Sequence, residues 1–189
     1  MTDKRRNKIL KYKNTMVSRV FEKEAEIIEQ IQLDTLDQCL MLWQVAEPTL
    51  VLPAGSKWPR TQALDKALTQ LGWSIHARRT GGAPVPQTAG IINLSHLYLW
   101  PDDGEYSITQ AYQNLVTVLK LFFSSLDIKA EAHATPFSYC DGDYNLNING
   151  QKIVGTAQRV VLKRGGGNIV LAQACILVEG ELKTLIKPV

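Results

Sequence analysis

Two cations, a hydroxyl and two glycines run together at Arg78-Arg79-Thr80-Gly81-Gly82, followed by Ala83-Pro84-Val85. Guanidinium forks beside backbone N–H groups bared by glycine are the material of an anion cradle. The same string also reads as a glycine turn with incidental arginines. It has no Gly-Lys-Ser/Thr of a Walker loop, and a strand rather than a helix follows it, which excludes a dinucleotide fingerprint.

A second segment, Asn149-Gly150-Gln151-Lys152-Ile153-Val154-Gly155-Thr156-Ala157-Gln158-Arg159, brings a lysine into a strand just after a tight turn. Gly155, Thr156 and Ala157 then stand where bulky β-formers are expected, so something packs close to the backbone there. Lys152 beside that surface offers a positive charge to a carbonyl or phosphate oxygen. An exposed hairpin lysine on a bulged strand is the alternative from periodicity alone.

Cys140, followed by Asp141-Gly142-Asp143-Tyr144-Asn145-Leu146, is a candidate nucleophile, since a thiolate accepts an acyl group as a thioester. His133 is its nearest candidate base, with a plain loop thiol and an ordinary histidine as the alternatives. Cys39 and Cys175 fall in apolar stretches and read as core residues. Three cysteines and three histidines, with neither zinc-ligand nor disulfide-framework spacing, give no metal site.

The elements that must position these residues follow from hydropathy. Val17, Val20, Phe21, Ile27, Ile28 and Ile31 recur at helical steps, with Glu22, Glu24, Glu26 and Glu29 between them, which predicts an amphipathic helix. A second helix is predicted from an Asp34 N-cap, with Leu36, Cys39, Leu40 and Trp43 on one face, ending before Pro48. Thr49 to Leu52 reads as a buried strand. Thr61 caps a third helix that Gly72 stops, and Trp73 to Arg79 is extended. Thr80 to Gly90, rich in glycine and proline, is predicted to be a loop. Ile91 to Trp100 resumes a strand, and Ser107 caps the longest helix. The last third is β: Tyr144 to Ile148, the Asn149-Gly150 turn, Lys152 to Lys163, a triple-glycine turn and Ile169 to Val178. The expectation is one α+β domain with a mixed, mostly antiparallel sheet flanked by helices.

At 189 residues and 45% hydrophobic, the chain is long and apolar enough to bury a core, which excludes disorder for its bulk. Its apolar runs fall short of the roughly 20 residues that span a bilayer. No signal peptide is visible, so a cytoplasmic location with no membrane partner is expected. The net charge of +3 is mild, and much of it sits in Lys4, Arg5, Arg6, Lys8, Lys11 and Lys13, against Asp3 alone. That run reads as a solvated, partly disordered arm, and nucleic acid is not an expected partner. Residues 1–32 are taken as arm plus helix, joined to a single unit over 33–189.

The order and content of these segments resemble the lipoate-protein ligase and octanoyltransferase family, which is related to the biotin protein ligases. Arg78 to Val85 is similar to the family's arginine-glycine loop, Asn93-Leu94-Ser95 to its next strand, and Gly150 to Gln158 to its lysine segment, the most specific of the three. The resemblance runs from about Leu33 to about Val178, with Asp37-Gln38 and Trp43 to Leu50 where the family has its first helix and strand. Gln87 stands where the family usually has histidine, Ala83-Pro84 replaces a third glycine, and Ala172-Gln173-Ala174-Cys175 replaces a His-Gly pair.

The resemblance implies that Lys152 is the active-site lysine, contacting the acyl carbonyl and, in ligases, the adenylate phosphate. It implies substrate or nucleotide binding by Arg78, Arg79, Thr80, Gly81, Gly82, Asn93, Asn145, Gly155, Thr156 and Ala157. The implied activity is attachment of lipoate or octanoate to a lysine of a lipoyl-carrier domain through an acyl-adenylate, using ATP and Mg2+. A cysteine-dependent octanoyl or lipoyl transferase using Cys140 is one alternative. A non-catalytic binder of lipoyl groups or acyl carriers is the other.

Overall fold

The computed structural model describes residues 6–101, 105–138, 140–180 and 182–188. Its largest element is a seven-stranded sheet. In spatial order the strands are β1 (Asn7–Thr15), β2 (Gln38–Val45), β6 (Ile91–Leu99), β10 (Asn168–Leu177), β9 (Gln151–Leu162), β8 (Leu146–Ile148) and β7 (Glu131–Ala132). Among the described residues of this sheet only the β1 and β2 pair is parallel; its other pairs run antiparallel. A smaller sheet sets β4 (Ser74–Ala77), β3 (Thr49–Leu52) and β5 (Val85–Gln87) side by side.

Helix α1 (Val17–Gln32) carries the expected stripe, and Val17, Val20, Ile27 and Ile31 bury it against Met41, Trp43 and Leu97 on one face of the large sheet. Helix α3 (Ile108–Ser124) covers the other face, packing Ala111, Leu115, Leu119 and Phe123 against Val154, Val170 and Ala172. The small sheet and α2 (Gln62–Gln70) share a third cluster built on Leu50, Leu52, Leu68 and Trp73. A short α4 (Leu182–Ile186) follows β10. Thr61 and Ser107 cap α2 and α3 as expected, each accepting a backbone N–H three residues on.

Three expectations are corrected. The helix predicted from Asp34 is strand β2: Cys39, Met41, Trp43 and Val45 bury at every second position, a period of two that wins over the helical spacing when β1 and β6 pair on both sides. Asp34 has φ of +54°, a left-handed turn that closes α1 rather than the extended residue of an N-cap. The basic arm is strand β1 from Asn7 onward, with Leu10 and Tyr12 packed toward the core while Lys8, Lys11 and Lys13 blunt an exposed edge. Lys4 and Arg5 lie outside the described residues. Within the predicted loop, residues 85–87 form β5, and Pro86 is tolerated because β5 is an edge strand. Among the described residues, no helix is long and apolar enough to cross a membrane.

Candidate active site

The cleft lies on the α1 face of the large sheet, beneath the small sheet. One cross-strand row supplies its floor: Gly155 on β9 pairs with Cys175 on β10, Cys175 with Asn93 on β6, and Asn93 with Trp43 on β2. All four line the cleft, whose apolar walls include Phe21, Val51, Val85 and Leu94.

Strict alternation would put Lys152 and Gly155 on opposite faces of β9. A bulge prevents this: Leu146 pairs with Val154 but Asn147 with Lys152, so Ile153 is an extra residue. Ile153 and Val154 both turn to the α3 core, while Lys152 and Gly155 both line the cleft. A Cβ at Gly155 would stand 3.6 Å from Lys152 Nζ, an ordinary contact, so the lysine's end lies directly over this position and a side chain much beyond a methyl would displace it. Lys152 Nζ donates to the Cys140 carbonyl oxygen at 2.7 Å. Asn145, buried, donates to the same oxygen at 2.8 Å and accepts from the Thr156 N–H at 3.2 Å. These bonds hold Cys140 at φ of +54°, a left-handed conformation that costs a non-glycine residue on the order of 1 kcal/mol.

The glycine loop closes the cleft from above. Arg78 is buried, and its Nη atoms donate to the carbonyls of Val51 at 3.2 Å, Gly81 at 2.8 Å and Ala83 at 2.9 Å, while its buried Nε has no partner among the described residues. Gly82 has φ of +109°, and a Cβ there would lie 3.0 Å from the Arg78 guanidinium and 3.4 Å from Cys140 Sγ. Gly81 borders open space. Arg79 goes elsewhere, into a neighbouring groove with His76 and Arg159 that meets the cleft at Phe21. Thr80 Oγ1 donates to Gln173 Oε1 at 2.9 Å.

The motifs therefore bring Arg78, Asn93, Cys140, Lys152, Gly155, Thr156 and Ala157 into one cleft, with Asn145 directly behind it. His133 is not among them: it is exposed, and its Nδ1 donates to the Ala134 carbonyl at 2.7 Å. Residues that the motifs miss are Gln87, Gln173 and Cys175. Asn93 donates to Gln87 Oε1 at 2.7 Å, and Gln87 Nε2 donates to Cys175 Sγ at 3.5 Å. Cys175, expected in the core, thus faces the cleft. The available signals were departures from the resemblance, Gln87 in place of a histidine and Ala172-Gln173-Ala174-Cys175 in place of a His-Gly pair, and Gln87, Gln173 and Cys175 all line the cleft.

Burial lowers the Lys152 pKa, and the nearby Cys140, Cys175 and Asp141 pull it back up. Burial also lowers that of Arg78, again opposed by the Cys140 and Cys175 sulfurs. Two cations therefore sit within electrostatic reach of Cys140. Cys175 is pushed up to about 11 by burial and remains a thiol at neutral pH. The arrangement suits a nucleophilic sulfur flanked by fixed positive charge in an apolar trough.

Residues 18–188 match the family described as the lipoyl protein ligase A/B catalytic domain, and the chain belongs to that family. An octanoyl-GcvH:protein N-octanoyltransferase of Geobacillus kaustophilus is 32% identical over 147 residues, 77% of this chain and 49% of that protein. A lipoyl-GcvH:protein N-lipoyltransferase of Listeria monocytogenes is 32% identical over 112 residues, 58% of this chain and 40% of that protein. The chain thus spans about half or less of the length of these curated relatives. The crystal structure of a lipoate-protein ligase A bound with ATP superposes with a TM-score of 0.70 at 16% identity, covering 96% of this chain and 69% of that one. That likeness establishes the fold: one α+β domain with a mixed sheet flanked by helices.

Proposed function

We propose that the cleft passes an octanoyl or lipoyl group from a carrier protein to a lysine of a lipoyl-carrier domain, through a thioester on Cys140. The observation that carries this reading is the meeting of Cys140 with the Lys152 ammonium in one apolar-walled cleft. The names of the relatives, which transfer octanoyl or lipoyl groups from GcvH, support the donor class. In the first step the Cys140 sulfur attacks the acyl carbonyl, a C–S bond forms, and the donor's amine leaves with the thiol proton. In the second, the acceptor lysine's amine attacks the thioester, the amide C–N bond forms as the C–S bond breaks, and the amine's proton returns to sulfur. Lys152 offers its charge to the carbonyl oxygen as negative charge develops on it. The apolar walls take the acyl chain.

The acyl-adenylate route, expected first from the resemblance, is the second reading. Magnesium prefers hard oxygen ligands, carboxylates above all, and no Asp or Glu is among the described residues lining the cleft. The Arg78 Nη atoms are engaged by the carbonyls of Val51 on β3 and of Gly81 and Ala83 in the loop. The described lining thus offers magnesium no carboxylate, which favours the thioester route.

Intact-protein mass spectrometry after mixing with octanoyl-GcvH tests the proposal. An octanoyl mass that hydroxylamine removes and Cys140→Ser prevents is expected. Acylation of a lipoyl domain that requires octanoate and ATP and survives Cys140→Ser would replace this reading with the ligase. No acylation under either condition would leave a non-catalytic binder.

A further inference from the structure

Glu24 lies on the buried face of α1 with 6% of its surface exposed, and among the described residues no other acid is buried. Its Oε1 accepts from Ser95 Oγ at 2.6 Å and from Gln173 Nε2 at 2.8 Å. Each partner hands the polarity on. Gln173, whose amide N–H points at Glu24, presents its oxygen to the Thr80 hydroxyl at 2.9 Å. Ser95, whose proton goes to Glu24, accepts from the Trp43 indole N–H at 3.1 Å. Ser95 and Gln173 are direct cross-strand neighbours, so a single oxygen from the helix reaches both.

With Glu24 ionised, the directions in this chain are forced. An ionised carboxylate only accepts and an indole N–H only donates. With Glu24 in place, Gln173 has one amide orientation that serves both ends, and the Thr80 hydroxyl proton is committed to Gln173. Remove the acceptor, and the Gln173 amide is free to flip, presenting a donor to the Thr80 hydroxyl. The two ends of the chain are cleft parts: Thr80 belongs to the glycine loop that closes the cleft, and Trp43 to its floor, while Gln173 also lines it. An apolar residue at position 24 would extend the stripe of Val17, Val20, Ile27 and Ile31 and bury without a polar cost. The carboxyl therefore contributes something packing alone does not.

We infer that Glu24 is a positioning residue of the acyl-transfer cleft, fixing through Gln173 and Ser95 the set of the glycine loop and of Trp43 in the floor. The inference rests on the reading of this cleft given above. Its role is to hold the site for the acyl donor, so its loss raises KM for octanoyl-GcvH more than it lowers kcat.

The test compares Glu24→Ala, Glu24→Gln and Gln173→Leu in steady-state transfer from octanoyl-GcvH and in hydrogen–deuterium exchange of the peptide carrying residues 78–83. Glu24→Ala is expected to raise KM about tenfold, the size of one or two lost hydrogen bonds, with kcat within about threefold. It is expected to speed loop exchange by about the same factor. Glu24→Gln, whose amide oxygen still accepts from both partners, restores both readouts. Gln173→Leu leaves the Ser95 bond intact and reproduces the faster loop exchange, so it carries the test if Glu24→Ala fails to fold. Unchanged loop exchange in Glu24→Ala or Gln173→Leu overturns the inference, as does lowered thermal stability with KM unmoved. Should the wild-type protein not transfer octanoate at all, the functional reading fails, and the exchange comparison still decides whether Glu24 holds the loop.

Discussion

Lys152 donates to the main-chain oxygen of Cys140 at 2.7 Å. The ammonium thus both fixes the backbone of the proposed nucleophile and keeps a positive charge beside it. Replacing Lys152 by alanine removes both, and the loss should resemble removal of an oxyanion donor, roughly 10² to 10³ in kcat. The half-buried side chain holds a loop rather than the core, so thermal denaturation should move little. Transfer at the wild-type rate by Lys152→Ala would refute the assignment.

Gly155 and Gly82 predict different failures. Alanine at Gly155 finds ordinary contact distances, 3.5 Å to Lys152 Cε, and should be tolerated; Gly155→Leu must displace the lysine and should behave like Lys152→Ala. Valine at Gly82 meets both a left-handed φ and a guanidinium at 3.0 Å, so it should destabilise the loop by about 1–3 kcal/mol and block acyl-donor binding. Calorimetric binding of octanoyl-GcvH to Cys140→Ser with and without each substitution checks this.

Alkylation separates the three thiols. Cys39 is fully buried in the α1 core, and Cys175 is held as a thiol by burial, with Gln87 bonded to its sulfur. Iodoacetamide at pH 8, followed by peptide mass mapping, should therefore label Cys140 first. Faster labelling of Cys175 would place the reactive sulfur on the wrong strand.

Burial holds the Glu24 carboxyl up at about 7, against an ordinary 4.5, although its bonds from Ser95 and Gln173 pull the other way. A carboxyl raised on folding costs no stability below pH 4.5, a growing amount up to about 7, and a constant amount above. Stability should therefore fall across that window by about 3 kcal/mol from this group. Glu24→Gln should match the wild type at pH 4 and exceed it by a similar amount at pH 8 in urea titrations. A difference independent of pH would remove Glu24 as the cause.

Local chemistry made much of this fold legible. The stripe of α1, the Thr61 and Ser107 caps, the β3 run and the Asn149-Gly150 turn all declare themselves within a few residues. Strand β2 was misread because Leu36, Cys39, Leu40 and Trp43 satisfy a helical period while Cys39, Met41, Trp43 and Val45 satisfy a strand period, and only neighbouring strands decide between them. Strand β1 hid behind its lysines. The cleft's glycine loop and lysine segment were readable as motifs, but the bulge at Ile153 was not, because it exists only as a mismatch between two strands. Nor could the sequence place Glu24 inside: its hydrogen-bond partners stand 71 and 149 residues away.

The three carbonyls gathered by Arg78 have a kinetic consequence. Ordering a free loop on encounter costs roughly 1–2 kcal/mol per residue and makes association two-step, with an observed rate that saturates as ligand rises. Here the loop is folded onto its own arginine before any carrier arrives, so that entropy is spent during folding of the chain. Stopped-flow association of an acylated carrier with this protein should accordingly be a single phase, linear in carrier concentration.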